Sequence, residues 1–338
     1  MGMKKTVDVI IPTYRPGVEF EKIVDRLKMQ TVEVRNILIL NTVNMTKSGN
    51  NSKNGIIGFN DNQSQIIHNG IQAKDNSILT FEDSDTTKVR IFNIMKEDFD
   101  HGATRDYGIA LSDSEYIVMM SQNALPMDNK LLERLIEPFE NHVVAATYAR
   151  HIPHKNANCV DKFTMHYNFP KVSKVKSGAD IKDIGMQTYF CSNTCAAYRK
   201  SVYDELGGFE VRTIYNEDVV MAAKIINAGY KVAYVAEARI RNLNTFTFRQ
   251  KIQRNFDLGV SVKHFRKCFK VSKSGMDSVD RIKATCLYLS KVNKGYLIPM
   301  LFVHEFAEWV GYKAGYNYEQ LPNVLVKKMS SNKDYWKR

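Results

Sequence analysis

Hydrophobic and polar positions alternate between two periods along the first half of this chain. Val7–Ile11 is a short β-branched run closed by Pro12 and reads as a buried strand. Glu19–Gln30 carries apolar residues at 20, 23, 24 and 27, the spacing of an amphipathic helix. Val34–Leu40 reads as a second strand, and strand–helix–strand order favours a parallel sheet. Val89–Ile94, Tyr116–Met120 and Val143–Tyr148 supply further strands, with helices expected at Ala103–Leu111 and Leu131–Phe139.

Residues 42–88 interrupt this pattern. They are rich in Asn, Ser, Gly and Asp, with small apolar islands, and are expected to form an insertion with a β-hairpin. Within Thr213–Tyr230 an apolar helical stripe starts at Val219 and stops at Gly229. Two carboxylates, Glu217 and Asp218, stand at its entrance, where the positive end of the helix dipole favours the ionised form. Such a group can accept a proton from a substrate hydroxyl. The plain alternative is a helix start that merely prefers Asn, Glu and Asp.

Polar residues recur where strands end: Pro12-Thr13-Tyr14-Arg15, Asn41-Thr42, the run from Asp98 to Asp106, and Ser121-Gln122-Asn123-Ala124. Ligands of open α/β sheets bind at the carboxyl ends of strands, so these turns together suggest a nucleotide site. Gly102 permits close backbone approach and Arg105 can pair with a phosphate.

The net charge of +12 implies an anionic partner: nucleotide, nucleic acid or membrane surface. No nucleic-acid-reading motif accompanies it, so no nucleic-acid partner is expected. The five cysteines are scattered, and Cys191 and Cys195 have no second pair at zinc spacing. A reduced cytosolic compartment fits this usage. No signal-peptide core opens the sequence, and no apolar run approaches the ~20 residues that span a bilayer. Beyond residue 248 the character changes. Arg249–Lys273 is basic, Leu301–Lys313 is apolar at 301, 302, 303, 306, 309 and 310, and Lys327–Arg338 is basic again. These features suit either an anionic membrane surface or a helical cap on the main domain, and the two are compatible.

The segments VIIPTYRP, FDHGATRDYGIAL (99–111), SQNALP (121–126), CSNTCAAYRKSVYDELGGF (191–209), NEDVVMAAKIINAGYKVAYV (216–235) and FRQKIQRNFDLGVSVKHF (248–265) carry a resemblance. In order and spacing the chain resembles the family 2 glycosyltransferases of GT-A fold, more narrowly the bacterial rhamnosyltransferases that build cell-surface polysaccharides. It extends over nearly the whole chain outside 42–88.

The resemblance implies an α/β, Rossmann-like, mixed but mainly parallel sheet flanked by helices, with a C-terminal helical extension. It implies a catalytic domain at 1–248 and a basic, amphipathic region at 249–338. The implied reaction is an inverting transfer from a nucleotide-sugar donor, characteristically dTDP-L-rhamnose, to a saccharide or lipid-linked saccharide. Asp218 matches the catalytic base. Thr13, Arg15, Asn41, His101, Gly102, Arg105, Asp106, Gln122 and Asn123 match donor-side positions, and Ser192, Asn193 and Glu217 acceptor-side ones. The enzyme is then expected to be cytoplasmic, peripheral on the inner face of an anionic plasma membrane, with a homodimer left open. UDP-hexose or galactofuranose donors, or a catalytically weak scaffold, are the alternatives.

Three positions depart from the family's pattern. Asn41 and Asn123 stand where Asp is usual, and Asn242-Leu243-Asn244 where His is frequent. Asn123 and Asn244 would be metal ligands, and neutral amides hold hard cations less strongly than carboxylates. Mg²⁺ or Mn²⁺ is therefore expected as a cofactor with weak dependence.

Overall fold

Alternate residues of the first strand leave for opposite sides of the sheet. Val7, Val9 and Ile11 join one core with Phe20, Ile23, Val24 and Leu27, while Ile10 joins another with Ile109, Met221 and Ile225. A strand buried on both faces needs helices on both sides. The computed structural model, which describes residues 5–44, 79, 81–270 and 276–337, has that layered architecture. Each fully buried side chain of this size contributes about 1.5–3 kcal/mol.

The strands are β1 (Val7–Tyr14), β2 (Val34–Val43), β3 (Lys88–Met95), β4 (Tyr116–Met120), β5 (Ala124–Pro126), β6 (Val144–Ile152), β7 (Lys174–Lys176), β8 (Cys195–Arg199) and β9 (Lys231–Asn242). The helices are α1 (Glu19–Lys28), α2 (His101–Ala110), α3 (Leu131–Ile136), α4 (Cys159–Asn168), α5 (Ile181–Ile184), α6 (Lys200–Glu205), α7 (Glu217–Asn227), α8 (Phe248–His264), α9 (Met276–Lys291), α10 (Ile298–Tyr316) and α11 (Asn323–Met329). The strand order is β3-β2-β1-β4-β8-β6-β9-β5, with β7 also on β9. β3, β2, β1 and β4 run parallel. β8 is antiparallel to both β4 and β6, so the sheet is mixed.

Most expected elements are present, with shifted ends. Pro12 does not close β1, which runs on to Tyr14. β4 pairs with β1 only as far as Ile10, so past that point β1 borders β2 alone and a missing N–H is tolerated. The helix expected to reach Phe139 stops at Ile136 and tightens into a 3₁₀ turn at Glu137–Glu140, because Pro138 has no N–H for an α-helical bond. α2 starts two residues early because the Asp100 side chain accepts from the N–H groups of Gly102 and Ala103, both at 3.0 Å. The insertion and hairpin expected at 42–88 lie outside the described residues, apart from 42–44, 79 and 81–88.

The C-terminal helices build a third, smaller core of Ile214, Phe256, Val260 and Val326, against which Tyr215, Tyr335 and Trp336 pack. This core reaches into the segment that precedes Glu217. It matters for the site.

Candidate active site

Three polar side chains meet across the carboxyl ends of adjacent parallel strands. Register aligns Thr13 with Asn41 and Asn41 with Asn93. The Thr13 hydroxyl donates to Asn41 Oδ1 at 3.3 Å, and Asn41 Nδ2 donates to Asn93 Oδ1 at 3.0 Å. Beside this row, the Gln122 amide bonds both ways to the Tyr14 backbone, accepting from its N–H at 2.7 Å and donating to its carbonyl at 3.1 Å. Gln122 thus ties the end of β1 to the turn after β4. Arg15 takes a left-handed backbone at φ 46°, and its guanidinium stacks 5.4 Å from the Tyr14 ring. Lys96 approaches the same ring at 5.6 Å.

The start of α2 is pressed against the loop leading to α7. A Cβ at Gly102 would lie 1.8 Å from the Glu210 carbonyl oxygen. The close approach for which this glycine is needed is therefore to the chain's own backbone. Arg105 points into the carboxylate cluster, with Nε 3.2 Å from Glu217 Oε1 and Nη1 donating to the His101 carbonyl at 2.7 Å. His101 is held below its ordinary pKa, by burial first. Asp106 stands apart from this group. It accepts from the Tyr203 hydroxyl and, at 3.1 Å, from the Phe209 N–H, and so clamps α2 to the Gly207-Gly208 turn.

Glu217 and Asp218 open α7, and the residue that aims them is Asn216. Its backbone is left-handed, at φ 65° and ψ 31°, and its side chain caps nothing. The capping preference that could have explained an Asn there is not in use, which leaves the turn itself as its role. Asn193 bridges the two acids. Its backbone N–H donates to Asp218 Oδ2 at 2.8 Å and its side chain to Glu217 Oε1 at 3.1 Å. The Tyr198 hydroxyl holds Asn193 in turn, donating to its Oδ1 at 2.8 Å. Asp218 Oδ1 also accepts from the Val219 N–H at 2.9 Å. Ser192 lies one residue before Asn193, in the turn where its carbonyl accepts from the Cys195 N–H at 3.1 Å.

The two acids differ in affinity for a proton. Burial acts to raise Glu217, but Arg105, then His101 and Asn193, bring it below the ordinary carboxylate range. Burial, followed by the neighbouring Glu217 charge, pushes Asp218 up to about 7. One carboxylate is thus fixed as an anion and the other stands near neutrality, where a general base works best. Glu217 is buried while Asp218 is only half-buried, so the proton-accepting group is the more accessible one.

The two amides expected at a metal site do meet. Asn123 Nδ2 donates to Asn244 Oδ1 at 2.8 Å, and the Leu243 N–H donates to the Asn123 carbonyl at 2.9 Å. Both side chains are neutral, and the bond engages the Asn244 oxygen. Among the described residues no three His, Cys, Asp or Glu side chains gather in a metal-holding group. These side chains do not form a carboxylate cage for a divalent cation. Arg241 stands next to Asn242, with its Nε buried and without a hydrogen-bond partner among the described residues.

The sheet edge and the cluster at α7 draw together residues that the sequence scatters. Asn93 and Tyr198 were not among the expected site residues. The signal for Asn93 was an uncharged polar residue between Phe92 and Ile94, near the carboxyl end of β3. Tyr198 gave none, since an aromatic in a buried strand is ordinary core.

Comparison with known proteins bears on the whole architecture. Residues 67–207 match the family described as Glycosyl transferase family 2. The O-antigen chain rhamnosyltransferase RfbN of Salmonella typhimurium is 34% identical over 98% of this chain and 96% of its own length. The O-antigen chain rhamnosyltransferase WbaN of Salmonella anatum is 36% identical over 73% of this chain and 78% of its own. A solved mannosyltransferase, PcManGT from Pyrobaculum calidifontis, in complex with GDP-Man and Mn²⁺, superposes over 93% of this chain and 88% of its own, with a TM-score of 0.54 at 12% identity. That likeness shows a shared fold. With near-complete coverage by a relative above 30% identity, the chain belongs to glycosyltransferase family 2 and is an enzyme of that family.

Proposed function

We propose that this enzyme transfers L-rhamnose from dTDP-L-rhamnose, with inversion, to a saccharide or lipid-linked saccharide in cell-surface polysaccharide synthesis. The two O-antigen chain rhamnosyltransferases support the sugar and the setting. The observation that carries the chemistry is Asp218, half-buried, oriented by two N–H donors and titrating near neutrality.

In this reading an acceptor hydroxyl attacks the anomeric carbon from the face opposite the nucleotide. Its proton passes to Asp218. The bond from the anomeric carbon to the diphosphate oxygen breaks, and its electron pair leaves with dTDP. Glu217 remains ionised, holds Arg105 and keeps Asp218 basic. Thr13, Asn41 and Asn93 form the nucleotide side. Arg15 and Lys96, both on the Tyr14 ring, supply positive charge for the departing diphosphate. Arg105 acts through Glu217, and Asp106 holds the scaffold. A divalent ion, when bound, would neutralise diphosphate charge. The Asn123–Asn244 pair supports a weak dependence on it.

Residues 1–248 form the catalytic part and 249–338 the helical region that carries it to the inner face of an anionic membrane. Among the described residues no helix is long and apolar enough to cross a membrane.

A donor panel read by thermal shift, followed by turnover on a lipid-linked acceptor, tests the proposal. dTDP-L-rhamnose should give the largest shift and support transfer. A shift with UDP-hexoses alone would reassign the donor, and binding without turnover on any acceptor would favour a scaffold.

A further inference from the structure

α10 is inside out by the standards of a water-soluble helix. At 100° per residue, Phe302, Val303, Phe306, Trp309, Val310 and Lys313 fall within an arc of about 120°. All six are exposed, Phe306 by 65% and Trp309 by 53%. The opposite side packs on α8 without a gap. A Cβ at Gly315 would lie 1.9 Å from the Phe256 carbonyl, and one at Gly259 would lie 2.2 Å from that of Tyr312. The helix's acids are also turned inward. Glu305 forms a two-pronged pair with Arg281, both bonds at 2.7 Å, and Glu308 accepts from Asn255 at 3.2 Å. The outward arc therefore carries apolar side chains and one cation, Lys313, which lies 5.9 Å over the Trp309 ring. The turn before the helix adds Lys291, Lys294 and Tyr296, all exposed.

We infer that this face of α10 is the element that inserts into an anionic phospholipid surface, lying in its plane. The inference rests on the membrane part of the proposed function and locates it. Two features favour a bilayer over a second copy of the chain. The arc, from Phe302 to Lys313, is roughly 17 Å long and 10 Å wide, on the order of 170 Å², against about 800 Å² per partner in a stable complex. The charges flanking the face are lysines at both ends and none of its exposed groups is acidic, so self-pairing in either direction opposes like charges. Anionic headgroups complement them. Aromatic residues next to lysines suit the boundary between headgroups and acyl chains.

The test uses the full chain, vesicles of phosphatidylcholine with or without phosphatidylglycerol, and flotation. The wild type should float with the anionic vesicles. The double variant F306S/W309S should lose about ten-fold or more in partitioning and keep its melting temperature, because both side chains are exposed. Its thermal shift with donor nucleotide should be unchanged, which separates this inference from the donor assignment. In W336F, Trp309 is the sole tryptophan. Its emission should shift to the blue on binding and be quenched by spin-labelled acyl chains. Failure of the wild type to float, normal flotation of F306S/W309S, or an unquenched Trp309 in the bound state would overturn the inference. A dimer of the wild type that this double variant dissociates would assign the face to a second copy instead.

Discussion

The backbone N–H of Asn193 donates to Asp218 at 2.8 Å across 25 residues of sequence. It fixes the direction of the carboxylate without consuming a side chain, and leaves the Asn193 amide to hold Glu217. The pair of acids is thereby oriented from the β8 side as well as from its own helix.

Replacing Asp218 by Asn should abolish most transfer, by ~10²–10⁴-fold, with donor-induced thermal shift retained. A second readout follows from its raised pKa. A carboxyl that binds its proton more tightly when folded contributes stability fully present below its unfolded value near 4. That contribution is lost as pH rises through about 7. The stability of the wild type relative to D218N should accordingly fall between about pH 4 and 7 and then level off. Melting curves across that range check it, and a flat difference would remove the pKa assignment.

Glu217→Gln should act in two ways. The Arg105 guanidinium loses its ion partner, which for a buried pair costs ~3–5 kcal/mol. Asp218 loses the neighbouring charge that helps to raise it, so the acidic limb of the rate profile should move to lower pH. Glu217's own depressed pKa gives stability that is present above its ordinary value and lost as pH falls through the folded one. The wild-type advantage in melting temperature should therefore shrink in acid. A pH–rate profile with an unmoved acidic limb would contradict the coupling.

Gly102→Ala should fail to fold or lose several kcal/mol, because the new methyl would meet the Glu210 carbonyl at 1.8 Å. Gly17→Ala, with open space around it, is the control and should change stability by less than about 1 kcal/mol. Chemical denaturation of the two variants separates them. Equal stabilities would mean that the α2–loop contact is loose.

Asn123→Asp should strengthen the response to metal. The substitution adds a carboxylate next to Asn244, whose amide can turn to donate. Activity titrated with Mg²⁺ and Mn²⁺ against excess EDTA should show a lower half-saturating concentration in the variant. Tight metal dependence already present in the wild type would show that the neutral pair is no handicap.

Much of this was legible in the chain because local physics determined it. The stripe from Val219 and the stop at Gly229, found at φ 91°, located α7 to within two residues. Asn93 gains its meaning only through the register that sets it beside Asn41, and no local pattern reports register. Tyr198, on β8, likewise acts through a residue five positions earlier, in the turn before that strand. The stripe on α10 was visible as periodicity. Periodicity, however, names a face without saying which solvent it meets, and here the inward side is the one that holds the carboxylates.

The Tyr215 carbonyl accepts from the Ser261 hydroxyl at 2.5 Å, and the Tyr215 ring stacks 4.9 Å from the Arg254 guanidinium. Tyr215 precedes Asn216 by one residue, so α8 buttresses the turn that aims both acids. Anyone building chimeras within this family inherits that coupling. Exchanging the C-terminal helices for those of a relative, with a seam drawn at the end of β9, would replace Arg254 and Ser261 while leaving Tyr215 behind. The graft is best designed with residues 213–216 travelling alongside the helices, as one transplantable part.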